Sequence, residues 1–125
     1  MRLNHITLIV TNLEASLRFY QTLGLTPIVL SVPRYARLTL PAGDATLSLE
    51  VTGEPKSSSR TQVYLECEAL DKLYEDLKNR GLVFEQPPTD MDYLWREARL
   101  RDPDGHQIRL YFAGENRLNP PWRLP

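Results

Sequence analysis

A single cysteine, no long apolar run and no surplus of either charge are the first features of this sequence. Cys67 has no partner in the chain, which excludes an internal disulfide framework and any cysteine-rich zinc site. No apolar stretch approaches the roughly 18 residues that cross a bilayer as a helix. The opening Met1-Arg2-Leu3-Asn4-His5 lacks the apolar core and small-residue cleavage site of a signal peptide. Fifteen basic and sixteen acidic side chains nearly cancel, so neither nucleic acid nor an anionic membrane is an expected partner. A cytoplasmic setting is the default expectation. The 125 residues, 42% apolar and 25% charged, suit one soluble domain that buries about two-thirds of its unfolded surface.

What is present is an internal repeat. The alternating run His5-Ile-Thr-Leu-Ile-Val10 is followed by Leu13, Leu17, Tyr20 and Leu23 at helical spacing, with Thr11 and Glu14 spaced as a capping box and Gly24 as a stop. A shift of 57 turns Ile6, Leu8 and Val10 into Val63, Leu65 and Cys67, and Leu13, Tyr20, Gly24 and Leu25 into Leu70, Leu77, Gly81 and Leu82. Strand-like segments follow each helix. In the first half they are Thr26–Val32, Tyr35–Leu40 and Ala45–Val51, with turns at Pro33 and Pro41–Asp44. In the second half they are Val83–Gln86, Leu94–Arg101 and His106–Phe112, with turns at Pro87-Pro88 and Asp102–Gly105. This pattern predicts an α+β fold of two βαβββ modules forming a curved mixed-sheet cup. The first module spans 1–52, a polar flexible link 53–60, the second module 61–113 and a proline-rich tail 114–125. That tail is too rich in proline for a helix and reads as an arm that packs Trp122 on this or another subunit.

Strand parity sorts the side chains into two faces. Leu47, Leu49 and Val51, and Ile108, Leu110 and Phe112, join the apolar sets already named, under the helices. Cys67 falls with them and reads as an inert, packed thiol. The opposite faces carry His5 and Thr7, Tyr35 and Arg37, Ser48 and Glu50, Gln62, Tyr64 and Glu66, Trp95, Glu97 and Arg99, and Gln107, Arg109 and Tyr111. Such a face is either wet or the lining of a cleft, and its aromatics favour a cleft. His106, directly after a turn glycine, reads as a surface residue.

The run Leu3-Asn-His-Ile-Thr-Leu-Ile-Val10, then Asn12-Leu13, Phe19-Tyr20 and Leu23-Gly24-Leu25, and Arg101-Asp-Pro-Asp-Gly105 with Ile108 and Leu110, resembles the vicinal oxygen chelate superfamily. That superfamily includes glyoxalase I, extradiol dioxygenases, fosfomycin-resistance enzymes and bleomycin-resistance proteins. The resemblance spans about residues 3–113 and carries the fold better than any one activity. It implies four metal-ligand positions, here His5, Glu50, Gln62 and Arg109. His5 and Glu50 match, whereas glutamine is a weak donor and a guanidinium has no lone pair to give. On this reading Arg109 pairs with Glu50 or Glu66 in place of an ion.

Two functions follow. The first is a binder of a small anionic or aromatic molecule without the usual metal site and with no resident cofactor, lined by Tyr35, Arg37, Gln62, Tyr64, Trp95, Arg99, Arg109 and Tyr111. The second is a metal-dependent lyase, isomerase or dioxygenase in which His5, Glu50 and an unconventional third ligand hold Fe, Mn, Ni, Co or Zn. Glu66 or Glu97 would then move the proton. A protein–protein module using the aromatic surface and tail is a third reading, and Trp95 and Trp122 would suit such a contact. A homodimer is expected, since members of this fold are often dimers.

Overall fold

The computed structural model describes residues 1–56 and 60–125. The chain forms two compact units. The first comprises Met1–Ser58 with Asp102–Gly105, and holds β1 (His5–Ile9), α1 (Leu13–Leu23), β2 (Thr26–Ser31), β3 (Tyr35–Thr39) and β4 (Thr46–Glu50). The second comprises Ser59–Arg101 with His106–Pro125. It holds β5 (Gln62–Glu66), α2 (Leu70–Asn79), β6 (Phe84–Asp90), β7 (Arg96–Arg101) and β8 (Gln107–Phe112), and a short 3-10 turn at Gly114–Arg117. The sheets run β1-β4-β3-β2 and β5-β8-β7-β6, parallel between the first and last strand of each module and antiparallel elsewhere. The βαβββ pair read from the repeat is therefore present. Of the expected link, Ser57–Ser59 lie outside the described residues.

Alternation decides the cores. In the first unit Leu8, Ala36, Leu38, Leu47 and Leu49 are buried with Leu13, Tyr20 and Leu23 of α1. In the second, Val63, Ala98, Leu100, Ile108 and Leu110 are buried with Leu70 and Leu77 of α2. Helices of 11 and 10 residues are too short to persist alone, so this packing holds them. Gly24 and Gly81 stop them with positive φ, which glycine adopts without a Cβ clash.

Several local expectations are corrected. Thr11 and Glu14 do not form a capping box: Asn12 caps α1 by accepting from the Ala15 N–H at 3.0 Å, and Glu14 accepts from Arg18 at 3.2 Å. Pro87 and Pro88 do not turn the chain but lie inside β6. That strand is an edge with register shifts on either side of Gln86, the setting that tolerates residues without an N–H. The turn comes later, where Met91 and Trp95 share a backbone bond of 2.8 Å and Leu94, expected in a strand, has φ +68°. His106 is buried rather than on the surface, and Phe112 is exposed because it ends β8 beyond the packed positions. The tail starts with a helical turn before its prolines, and Trp122 is 57% exposed.

The turn Asp102–Gly105 groups with the first unit through specific polar contacts. Asp104 accepts from the Thr11 N–H at 3.1 Å and its hydroxyl at 2.8 Å, and Lys56 donates to the Pro103 carbonyl. Tyr20, fully buried, donates to Asp102 at 2.7 Å. Burial first, and then the Asp102 charge, push the Tyr20 phenol far above its ordinary pKa, so it remains a donor. Tyr20→Phe strips a buried carboxylate of this donor and should lower unfolding free energy by about 1–3 kcal/mol in urea titrations. An unchanged midpoint would mean that Asp102 does not depend on it.

Candidate functional site

Register identifies what each polar face presents. Across the second sheet, Tyr64 lies opposite Arg109 and Arg109 opposite Arg99. In the next row of that face Glu66 lies opposite Tyr111 and Tyr111 opposite Glu97. The alternate residues of these strands are the core leucines, isoleucine, valine and alanine, so the polar set shares the face away from α2. Glu97 is 0% exposed. A buried carboxylate persists only when paired and hydrogen-bonded. Tyr93 donates to it at 2.6 Å, Arg109 at 3.3 Å and Arg99 at 3.5 Å. The Arg109 side chain is itself only 12% exposed and that of Arg99 31%. The Nε atoms of both arginines are buried without a hydrogen-bond partner.

Aromatic rings wall this cluster. Trp95 and Tyr111 stack with centroids 4.8 Å apart, and Tyr64 stands edge-on to both at 5.8 and 5.5 Å. The Arg109 guanidinium lies 5.3 Å over the Tyr64 ring, a cation–π distance. Trp95 also donates to the Asn116 carbonyl at 3.4 Å, which ties the ring to the C-terminal turn. Gln62 accepts from Tyr64 at 3.3 Å, and Gln107 from Arg109 at 3.4 Å. Burial, then the hydrogen bond to Glu97, raise the Tyr93 pKa, and burial raises that of Tyr111, so both phenols stay neutral near pH 7.

The first sheet presents a hydroxyl chain instead. Thr46 meets His5 Nδ1 at 2.5 Å, His5 Nε2 lies 3.2 Å from Ser48, Ser48 lies 2.5 Å from the Tyr35 hydroxyl, and Arg37 Nε donates to that hydroxyl at 3.0 Å. The hydrogen bond with Ser48, helped by Arg37, holds the Tyr35 phenol below its ordinary pKa. Glu50 closes β4, opposite Tyr35. A separate groove of about 820 Å³ lies along α1, lined by Leu13, Leu17, Arg18, Val32, Pro33 and Arg34 among others.

The structure thus brings together Gln62, Tyr64, Trp95, Glu97, Arg99, Arg109 and Tyr111 on one sheet, and His5, Tyr35 and Arg37 on the other. Glu66 has other duties: it accepts from the Ala113 and Gly114 N–H groups at 2.9 and 3.1 Å and caps the turn after β8. Arg109 therefore pairs with Glu97, not with Glu50 or Glu66. Tyr93 was missed because it falls between the expected turn at Pro87-Pro88 and the expected strand Leu94–Arg101, where parity assigns no face. Thr46 was missed because a threonine at a strand start carries no chemical signal.

Register also revises the internal equivalence. His5 lies opposite Thr46 and Gln62 opposite Gln107, and four residues further on Glu50 corresponds to Tyr111 while Ser48 corresponds to Arg109. The β6–β7 hairpin is longer than its counterpart, so the shift of 57 that relates β1 to β5 becomes 61 at the last strand. Tyr111, not Arg109, is thus the partner of Glu50 in the repeat.

The sequence profile of the Glyoxalase/Bleomycin resistance protein/Dioxygenase superfamily matches residues 2–110. The chain belongs to this superfamily. It is 31% identical over 126 residues to an uncharacterized protein, YraH, of Bacillus subtilis (strain 168), covering 89% of this chain and 98% of that one. A superfamily member from Sphaerobacter thermophilus superposes with TM-score 0.73 at 25% identity, covering 90% of this chain and 97% of its own. A lactoylglutathione lyase from Agrobacterium tumefaciens gives 0.76 at 13% identity over 94% and 96% of the two chains, a likeness of fold.

Members of the superfamily often use divalent metals, and the donor set here does not fit one. Among the described residues no three His, Cys, Asp or Glu side chains form a group able to hold a metal ion. At the positions that the resemblance implies, the first unit offers an imidazole whose two nitrogens already meet hydroxyls and one carboxylate, the second a carboxamide and a guanidinium, and the register counterparts Ser48 and Tyr111 add only a hydroxyl and a neutral phenol.

Cys67 is half-buried, with its sulfur 3.9 Å from the Tyr111 carbonyl. Burial pushes its thiol up to about 11. At pH 8 that leaves about a hundredfold less thiolate than a thiol titrating near 9. Alkylation by iodoacetamide at pH 8 should be clearly slower in the native protein than in urea. Equal rates would contradict the packed placement.

Proposed function

We propose that this superfamily member binds a small planar anion, such as an aromatic carboxylate, on the polar face of its second unit. The observation that carries the reading is a charge imbalance around one buried group. Two guanidiniums, Arg99 and Arg109, face a single carboxylate, Glu97, so +2 and −1 leave +1 uncompensated. Both Nε–H groups lack acceptors, and an unsatisfied buried donor costs about 1–3 kcal/mol. An incoming carboxylate supplies the missing charge and the missing acceptors together, by the forked geometry that guanidinium favours. Tyr64 and Trp95 offer ring surface beside those donors, which suits a flat ligand. Gln62 adds a neutral polar contact at the rim.

Glu97 serves here to hold the arginines rather than to move a proton, because its oxygens are occupied by Tyr93, Arg99 and Arg109. On the first unit Tyr35 and Arg37 form a polar face without a buried carboxylate.

Trp95 reports binding in a Trp122→Phe background. Benzoate is expected to change its fluorescence saturably and to bind at least tenfold more tightly than benzamide, about 1.4 kcal/mol in favour of the charge. Arg99→Gln should erase that difference. Equal affinities for the two compounds, or binding by neither, would overturn the reading. Elemental analysis provides an independent check: stoichiometric Fe, Mn, Ni, Co or Zn that disappears in His5→Ala would favour the metal-dependent alternative.

A further inference from the structure

Two arginines on and beside the polar face of the second sheet have carboxylates of their own. Arg101 meets Glu85 at 2.9 Å, and Arg117 lies 4.0 Å from Glu66. Glu97 has to serve two guanidiniums, those of Arg109 at 3.3 Å and Arg99 at 3.5 Å. These two arginines lie directly opposite each other on β8 and β7, a placement in which like charges repel. The other polar neighbours, Tyr93, Gln62 and Gln107, are a phenol and two carboxamides and bring no charge. Glu97 is fully out of solvent, so its charge is felt nearby with little screening by water or salt. The arginines' two buried Nε–H groups without acceptors match in number the two oxygens of one carboxylate.

We infer that Glu97 is a specificity-determining residue that sets the charge of the ligand at minus one. The assignment rests on the anion site proposed above and says which anions that site takes. Beside the Glu97 carboxylate, the two guanidiniums keep a single positive charge in excess, enough for one incoming carboxylate. A ligand with two adjacent carboxylates brings one charge too many, and its second group lies close to Glu97 without a cation of its own. Glu97 thus selects by repulsion, as the arginines select by attraction. Glu97→Gln leaves both guanidiniums unopposed and turns the site into one for dianions. Adding Arg99→Gln removes one of them and returns the site to monoanions.

Calorimetric titration with phthalate and phthalamate in mildly alkaline buffer tests this. The two compounds share one skeleton, but phthalate carries two adjacent carboxylates and phthalamate one beside a neutral carboxamide. The wild-type protein should bind phthalamate about fivefold or more tightly, the factor that one unit charge exerts at contact distance even in water. Glu97→Asp, which keeps the charge, should keep that order. Glu97→Gln should reverse it, and Glu97→Gln with Arg99→Gln should restore it. Should Glu97→Gln be unfolded alone, refolding driven by phthalate more than by phthalamate reads the same preference. Equal affinities in the wild type, a wild-type preference for phthalate, or an order that Glu97→Gln leaves unchanged would overturn the role of Glu97 while the anion site stands. Binding of neither compound, nor of benzoate, would overturn both.

Discussion

The parallel ladder between the first and last strand of each module is the constraint on which the rest depends. It sets His5 against Thr46 and Gln62 against Gln107, and so fixes which residues of the first and last strands share a face. Because side chains alternate, a slip of one residue would carry the leucines of β4 and β8 onto the polar face and the charges under the helices. The helices are too short to hold themselves, so they rest on the same register. Polar face and apolar core are thus two consequences of one alignment.

Within the second sheet that alignment produces an expensive arrangement. Glu97 is placed by alternation on the polar face, opposite Tyr111, yet it is fully out of solvent and bonded to Tyr93 of the β6–β7 turn. Once buried, it requires donors, and Tyr93, Arg99 and Arg109 provide them. Hydrogen-bonded groups in such surroundings hold one another in place, which restrains the arginines. The first sheet solves the same rows differently. Where the second has Arg109 opposite Tyr64, the first has Ser48 opposite Thr7, and its network is built of hydroxyls, one imidazole and the Arg37 guanidinium.

The two modules therefore share a frame and have diverged at both their faces and their edges. The extra length of the β6–β7 hairpin moves the repeat from 57 to 61 residues, brings Tyr93 to Glu97, and ends with Leu94 in a left-handed conformation. The same strand β6 accommodates two prolines because it is the edge strand of its sheet. A duplicated fold tolerates these changes because hairpins and edges lie outside the ladder that sets the register.

What the amino-acid order alone determined is the repeated βαβββ frame, the apolar stripes, the glycine stops and the membership of each face. Those follow from periodicity, which is local. Leu47, Leu49, Ile108 and Leu110 were legible as core, and Arg99, Arg109, Tyr64 and Tyr111 as polar-face residues, for that reason. Pairing partners were not legible, because they depend on how far each hairpin extends. Arg109 turned out to meet Glu97, Glu66 to cap a turn, and Tyr111 rather than Arg109 to mirror Glu50. Asp102 is buried beside Tyr20, a partner far away along the chain. Alternation tells which way a side chain points, and only the register between strands tells what it meets.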